Sequence, residues 1–297
     1  MSYIDWSCKH DILICNSDGS FSPMDEPFFE SKMVAPGTWK ILSAGDYSYL
    51  VEGNKEAILI DSGYGAGNIR EYCEKLVNKP VRFIANTHEH FDHTANNGYF
   101  ELAYMSEKAY PNATVPYNSF IGIEFPKNYP VKLVGDGDTI PLEGRELEVF
   151  EFSDHTPGGI MFLDKKERIL FSGDELWNHK DIKVSVEHFA RDLKKLKARR
   201  NEFDLLCGGC ALFDATIIDK HLISCDRILQ GEVGTEVFEK KPQDNTPAVE
   251  GRIVYDRMYP HPGDSAGKRE VVDIARKRCI TTDDTQLTYN LDNIFEK

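Results

Sequence analysis

Between Thr87 and His93 the chain reads Thr-His-Glu-His-Phe-Asp-His, bringing three imidazoles and two carboxylates into one short segment. Neutral imidazole is the commonest protein ligand for zinc and its neighbours, and carboxylates suit the same borderline ions. Side chains two apart, His88 and His90, can converge on one ion, while Asp92 and His93 can face a neighbouring one. Histidine is scarce overall, with 9 in 297 residues, so a solvated polar turn is a poor account of the pattern. The segment reads as a metal site. A dication held by neutral imidazoles keeps a position open for water and lowers that water's pKa from about 15.7 towards ~7. Such an ion is suited to hydrolysis, in which Asp92 would orient the nucleophile and could shuttle its proton while cations stabilise the oxyanion on an attacked carbonyl.

Two later stretches end apolar runs with ligand types. Phe150-Glu151-Phe152-Ser153-Asp154 leads into His155, and Thr156-Pro157-Gly158 forces a turn directly after it. Ile169-Leu170-Phe171-Ser172-Gly173 leads into Asp174, and Gly173 permits the tight backbone that exposes the carboxylate. Singly, His155 would be an ordinary hydrogen-bonded histidine and Asp174 a turn former. In this order, after the first cluster, both become candidate ligands.

The elements that must carry these residues are legible as periodicities. The metal segment follows Val81-Arg82-Phe83-Ile84-Ala85, an apolar run that reads as a buried strand. Strands are expected over 39–43, 47–52 and 57–61, with Glu52-Gly53-Asn54-Lys55 as a hairpin turn. A helix is expected over 68–77, and further strands over 147–152, 159–163, 168–172 and 203–207. Two more helices carry Phe189, Leu193 and Leu196, then Ile218, Leu222, Cys225 and Leu229, the second closed by Gly231. His221 is expected on the outside of that last helix. Residues 1–36 read as an irregular arm ahead of a domain over 37–231. Residues 105–135 read as a lid insert, and 232–297 as a C-terminal extension on the same domain, with a strand at 252–258, a helix at 268–278 and a polar tail. In and near the lid, Tyr104, Tyr117, Phe120 and Phe125 could line a pocket for a flat or apolar small molecule. Ordinary packing accounts for them as well. Strands in two blocks, each interrupted by helices, predict an α/β protein of two packed sheets with helices outside.

Taken together, Asp61, His88-x-His90-x-Asp92-His93, His155 in H-T-P-G and Asp174 in F-S-G-D resemble the metallo-β-lactamase-fold metallohydrolases. The resemblance covers roughly 39–231 and implies an αββα sandwich of two mixed sheets with its metals at one edge. It implies that His88, His90 and His155 hold the first metal, that Asp92 and His93 serve the second, and that Asp174 bridges them. Asp61 would support the site by hydrogen bonding. An aspartate rather than a cysteine at 174 is more similar to the glyoxalase II and lactonase branches than to thiolate-using zinc β-lactamases. One departure stands out. The family's last histidine is missing from Leu206-Cys207-Gly208-Gly209-Cys210, where Gly209 takes its place. Cys210 could replace it as a thiolate ligand, or be a small buried hydrophobe, and His261 is a second replacement.

With 35 basic and 49 acidic residues the formal charge is −14, which disfavours nucleic acid and anionic membrane as partners. Seven cysteines, an odd number, do not suggest a disulfide framework. No run approaches the ~20 apolar residues of a membrane span, so a cytoplasmic protein acting on a small molecule is expected, with a homodimer allowed. The expected reaction is cleavage of an ester, thioester, lactone or amide with one or two zinc ions, iron or manganese being compatible. Two alternatives stay open: a mononuclear iron oxidoreductase of the persulfide dioxygenase kind using His88, His155 and Asp174, and a metal-binding protein without catalysis.

Overall fold

A computed structural model describes residues 12–16, 18–26, 29–43, 46–113, 128–237, 253–256 and 276–297. Ala57–Ile60 shows why the layers form as they do. Its side chains alternate between two cores: Ile58 and Ile60 face one, Ala57 and Leu59 the other. A strand buried on both faces must be apolar throughout. It lies in a seven-stranded sheet ordered Glu30–Ala35, Thr38–Ser43, Asp46–Glu52, Ala57–Ile60, Phe83–Ala85, Leu102–Ser106 and Val131–Val134. Pairing is antiparallel through Ala57–Ile60 and parallel beyond it. A six-stranded sheet runs Thr139–Leu142, Arg145–Glu151, Ile160–Asp164, Ile169–Gly173, Leu205–Gly208 and Leu212–Asp214.

The two sheets face each other across Tyr49, Ile58, Ile60, Phe162 and Phe171. Helix Ile69–Val77 covers the outer face of the first with Ile69 and Cys73. Helices Val186–Ala198 and Ile217–Leu229 cover the outer face of the second. The architecture is an αββα sandwich. Each large core side chain contributes about 1.5–3 kcal/mol by leaving water, and the buried Arg145, paired with Asp164 on its own sheet, reaches across the sandwich to donate to Gly37 O (2.9 Å) and Thr38 Oγ1 (2.5 Å).

Several expectations need correction. Residues 30–35 are not irregular arm: Glu30–Ala35 is the edge strand of the first sheet, hard to read because its outer positions face water. Val131–Val134 is likewise scaffold rather than lid. Lys277–Thr282 is a strand where the end of a helix was expected, and the tail supplies Thr285–Asn290, whose Leu287 and Tyr289 join the outer core. These two strands form a further sheet with His179–Asp181 and Thr235–Glu236, and Ile12–Cys15 pairs with Phe21–Pro23 and Ile253–Asp256. His221 is fully buried, not outside; its Nε2–H donates to Trp177 O at 2.8 Å.

Candidate metal centre

Asp61 ends its strand in the left-handed region, at φ 58°, a conformation that aspartate tolerates better than most residues. The bend brings its carboxylate beneath the metal segment. Oδ1 accepts Thr87 N–H at 2.8 Å, and Oδ2 accepts the Thr87 hydroxyl at 2.7 Å and His93 Nδ1–H at 2.9 Å. Because the Thr87 hydroxyl donates to Asp61, it accepts from His88 Nδ1 at 3.1 Å. Both rings are thereby set with Nε2 towards the site. The short helix Phe91–Thr94 is pinned at the carbonyl of His93, which accepts from Ser62 N, Ser62 Oγ and Asn86 Nδ2 at 2.8, 3.1 and 2.8 Å.

The turn after Arg145–Glu151 delivers His155. Glu175 holds it, its Oε2 accepting the amides of Asp154 (3.1 Å) and His155 (2.7 Å). His88, His90 and His155 each place one ligand atom within 4.8 Å of the others. Their ring centroids lie 4.7–4.9 Å apart, and His90 Nδ1 meets His155 Nε2 at 2.9 Å. His88 is buried, whereas His90 is exposed and His155 half-buried, so the cluster opens on that side. Asp174 lies between the groups, with Oδ1 3.6 Å from His93 Nε2 and Oδ2 3.7 Å from His155 Nε2.

The electrostatics divide the site in two. Burial first, then neighbouring imidazoles, hold His88 well below its ordinary pKa, and burial brings His155 down to about 4. Both are neutral, as metal ligands must be. Burial also works against charge on His93, but Asp92, Asp61 and Asp174 override it and raise its pKa well above the usual imidazole value. Desolvation opposes ionisation of Asp92 too, yet His93 beside it keeps that carboxyl well below the usual range. Four buried atoms here have no hydrogen-bond partner among the described residues: His88 Nε2, His93 Nε2, Asp174 Oδ1 and Asp46 Oδ2. Leaving such atoms unpaired costs about 1–3 kcal/mol each. Divalent cations, one beside His88 and one beside His93, would satisfy them. The donor set fits a divalent metal.

The family description "Metallo-beta-lactamase superfamily" matches residues 45–237, well over half of the chain. The chain belongs to the metallo-beta-lactamase superfamily. At that level it is a metal-binding hydrolase. The human acyl-coenzyme A thioesterase MBLAC2 is 26% identical over 210 residues, 60% of this chain and 69% of that protein. A hydroxyacylglutathione hydrolase of Pelagibacter ubique is 27% identical over 171 residues, 55% of this chain and 66% of that one. Among solved structures, the metallo-beta-lactamase from Pontibacter korlensis shares the fold, with a TM-score of 0.54 at 19% identity over 69% of this chain and 100% of that one. Among the described residues no helix is long and apolar enough to cross a membrane.

Not every candidate lies in this superfamily site. Tyr104 points into the core between the sheets, its ring 6.3 Å from Phe83, because strand alternation turns it inward. Tyr117, Phe120, Phe125 and His261 lie outside the described residues. Cys210 belongs to none of the three groups of converging ligand atoms among the described residues. One residue was missed. Asp46, at the start of Asp46–Glu52, converges with Asp92 and His93. Its only signal was an aspartate in a Gly-Asp turn, which hairpins supply routinely.

Proposed function

We propose that the chain hydrolyses acyl thioesters of a small thiol carrier. His88, His90 and His155 would hold one divalent ion and Asp92 and His93 would serve a second, with Asp174 between them. The observation that carries this reading is the convergence of three imidazoles, one of them buried and aimed inward, in a chain whose relatives include an acyl-coenzyme A thioesterase and a hydroxyacylglutathione hydrolase. Zinc suits the three-imidazole set, and iron or manganese is compatible with it. When bound, the metal supplies Lewis acidity toward the carbonyl and lowers the pKa of water.

The chain's own groups do the rest. Asp61 and Thr87 fix the ring orientations of His88 and His93. Asp92, with Oδ2 3.5 Å from His93 Nε2, would be the proton acceptor. The thiol product has a pKa of about 8.5 and leaves readily, so thioester cleavage asks less of a general acid than amide cleavage. A cavity of about 400 Å³, lined by Ser106, Lys108, Leu133, Ser153, Pro157 and Gly159 among others, adjoins the turn that carries His155. Its size suits part of a small carrier. The net charge of −14 supports a small-molecule substrate over nucleic acid.

Thiol release from acyl-coenzyme A and acylglutathione panels, set against oxygen esters, lactones and β-lactams, tests the reading. Turnover on thioesters is expected, and a chelator or His88→Ala should abolish it. Cleavage of lactones or oxygen esters with no thiol released from any thioester would overturn it. A mononuclear iron oxidoreductase would need His88, His155 and Asp174 together; His155 lies 3.7 Å from Asp174, but the three form none of the converging groups among the described residues. Oxygen consumption with a persulfide is the test of that alternative.

A further inference from the structure

At Gly209, where the resemblance places the superfamily's last histidine, the site leaves no room for a side chain. A Cβ at Gly209 would stand 2.0 Å from Asp174 Oδ1 and 3.2 Å from His93 Cε1. The turn therefore meets the site as bare backbone, and a side chain there would displace the aspartate. That backbone is tied to the opposite sheet. Tyr47 N–H donates to Gly209 O at 2.6 Å, and the Tyr49 hydroxyl donates to Gly208 O at 2.6 Å. The strand making both contacts begins with Asp46, which is 7% exposed. Among the described residues Asp46 Oδ2 is buried without a hydrogen-bond partner, as are His93 Nε2 and Asp174 Oδ1. Asp46, Asp92 and His93 each bring a ligand atom within 4.8 Å of the others.

We infer that Asp46 replaces the absent imidazole and completes, with Asp92, His93 and Asp174, an oxygen-rich second divalent-cation site. The inference rests on the metal placement proposed above and not on the thioester chemistry. Two buried carboxylates, Asp46 and Asp174, with half-buried Asp92 beside the same imidazole, call for a cation. The two positions also differ in kind. Three imidazoles favour zinc, whereas carboxylates around a single imidazole accept manganese readily. The centre is therefore suited to an unlike pair of ions, zinc in the first position and manganese in the second.

Metal titration without substrate tests this, so a failed thioesterase assay leaves the result standing. Stripped protein is titrated with Zn²⁺ and then Mn²⁺, and bound metal is counted after desalting and by the Mn²⁺ spin-resonance signal. Wild type should hold one zinc and one manganese per chain. Asp46→Asn and Asp46→Ala should each keep the zinc at wild-type affinity, which also reports a folded first site, and bind manganese at least ~100-fold more weakly. Cys210→Ser should retain both ions. The inference fails if both Asp46 variants keep the second ion at unchanged affinity, if Cys210→Ser loses it, or if wild type never holds more than one.

Discussion

At position 209 a single methyl group decides whether Asp174 can stay where it is. The clash falls on the tip of a short side chain, so Asp174 swings aside and the backbone is spared. Gly209→Ala is therefore expected to melt within a few degrees of wild type while losing one bound metal and most turnover. A large fall in melting temperature with the metals retained would contradict this. The hydroxyl of Thr87 does a different job, orienting His88 through one hydrogen bond and Asp61 through another. Thr87→Val should lower metal affinity about 10–100-fold, measured by competition with a chromogenic chelator; unchanged affinity would mean the rings orient themselves. Most of the site was readable from order alone, because His88, His90, Asp92, His93, His155 and Asp174 all follow apolar strands. Asp46 was not readable, because nothing in Ser43-Ala44-Gly45-Asp46 distinguishes a ligand from a turn residue. What makes it a candidate ligand is long-range pairing with the glycine turn at 209.

Among the elements, the two sheets are joined by more than apolar contact. Arg145, on the second sheet, reaches across to Gly37 and Thr38 of the first while paired with Asp164, and both side chains are nearly or fully buried. Removing one member strands the other charge in the core, which costs about 3–5 kcal/mol. Arg145→Met should lose about that much in urea unfolding, and a joint Arg145→Met, Asp164→Leu variant should recover part of it. Equal instability of the single and double variants would show that the pair itself is not what matters. Strands buried on both faces, such as Ala57–Ile60 and Ile160–Asp164, were legible because every residue is constrained. Edge strands were not. Glu30–Ala35 and Val131–Val134 face water on enough positions to read as arm and lid, and only backbone pairing recruits them. The buried Tyr289 similarly hid in a polar tail, since its neighbours on Thr285–Asn290 alternate with it.

For the molecule as a whole, an excess of acidic residues means that stability in acid depends on how its carboxylates are held. Glu148, on Arg145–Glu151, receives both Nη atoms of Arg199 at 2.6 and 2.9 Å, with Lys165 close by at 2.7 Å. The Arg199 hydrogen bonds, followed by those from Lys165, more than offset partial burial and bring its carboxyl down to about 2. An unfolded glutamate titrates near ~4.3. Above that value both states are ionised and the interaction stabilises the fold in full. As pH falls, the unfolded chain takes up the proton first, so stability declines from ~4.3 and is gone once pH passes below about 2. Arg199 joins this strand of the second sheet to the 3₁₀ turn Arg200–Glu202, pairing with Glu202 as well. Loss of the contact in acid therefore loosens the joint between helix Val186–Ala198 and strand Leu205–Gly208 as well as one surface pair. Wild type should show a steeper drop in unfolding free energy between pH 5 and pH 3 than Glu148→Gln, which has no proton to gain, and the two should lie furthest apart at neutral pH. Parallel curves over that interval would mean that the acid sensitivity of the fold resides in other carboxylates.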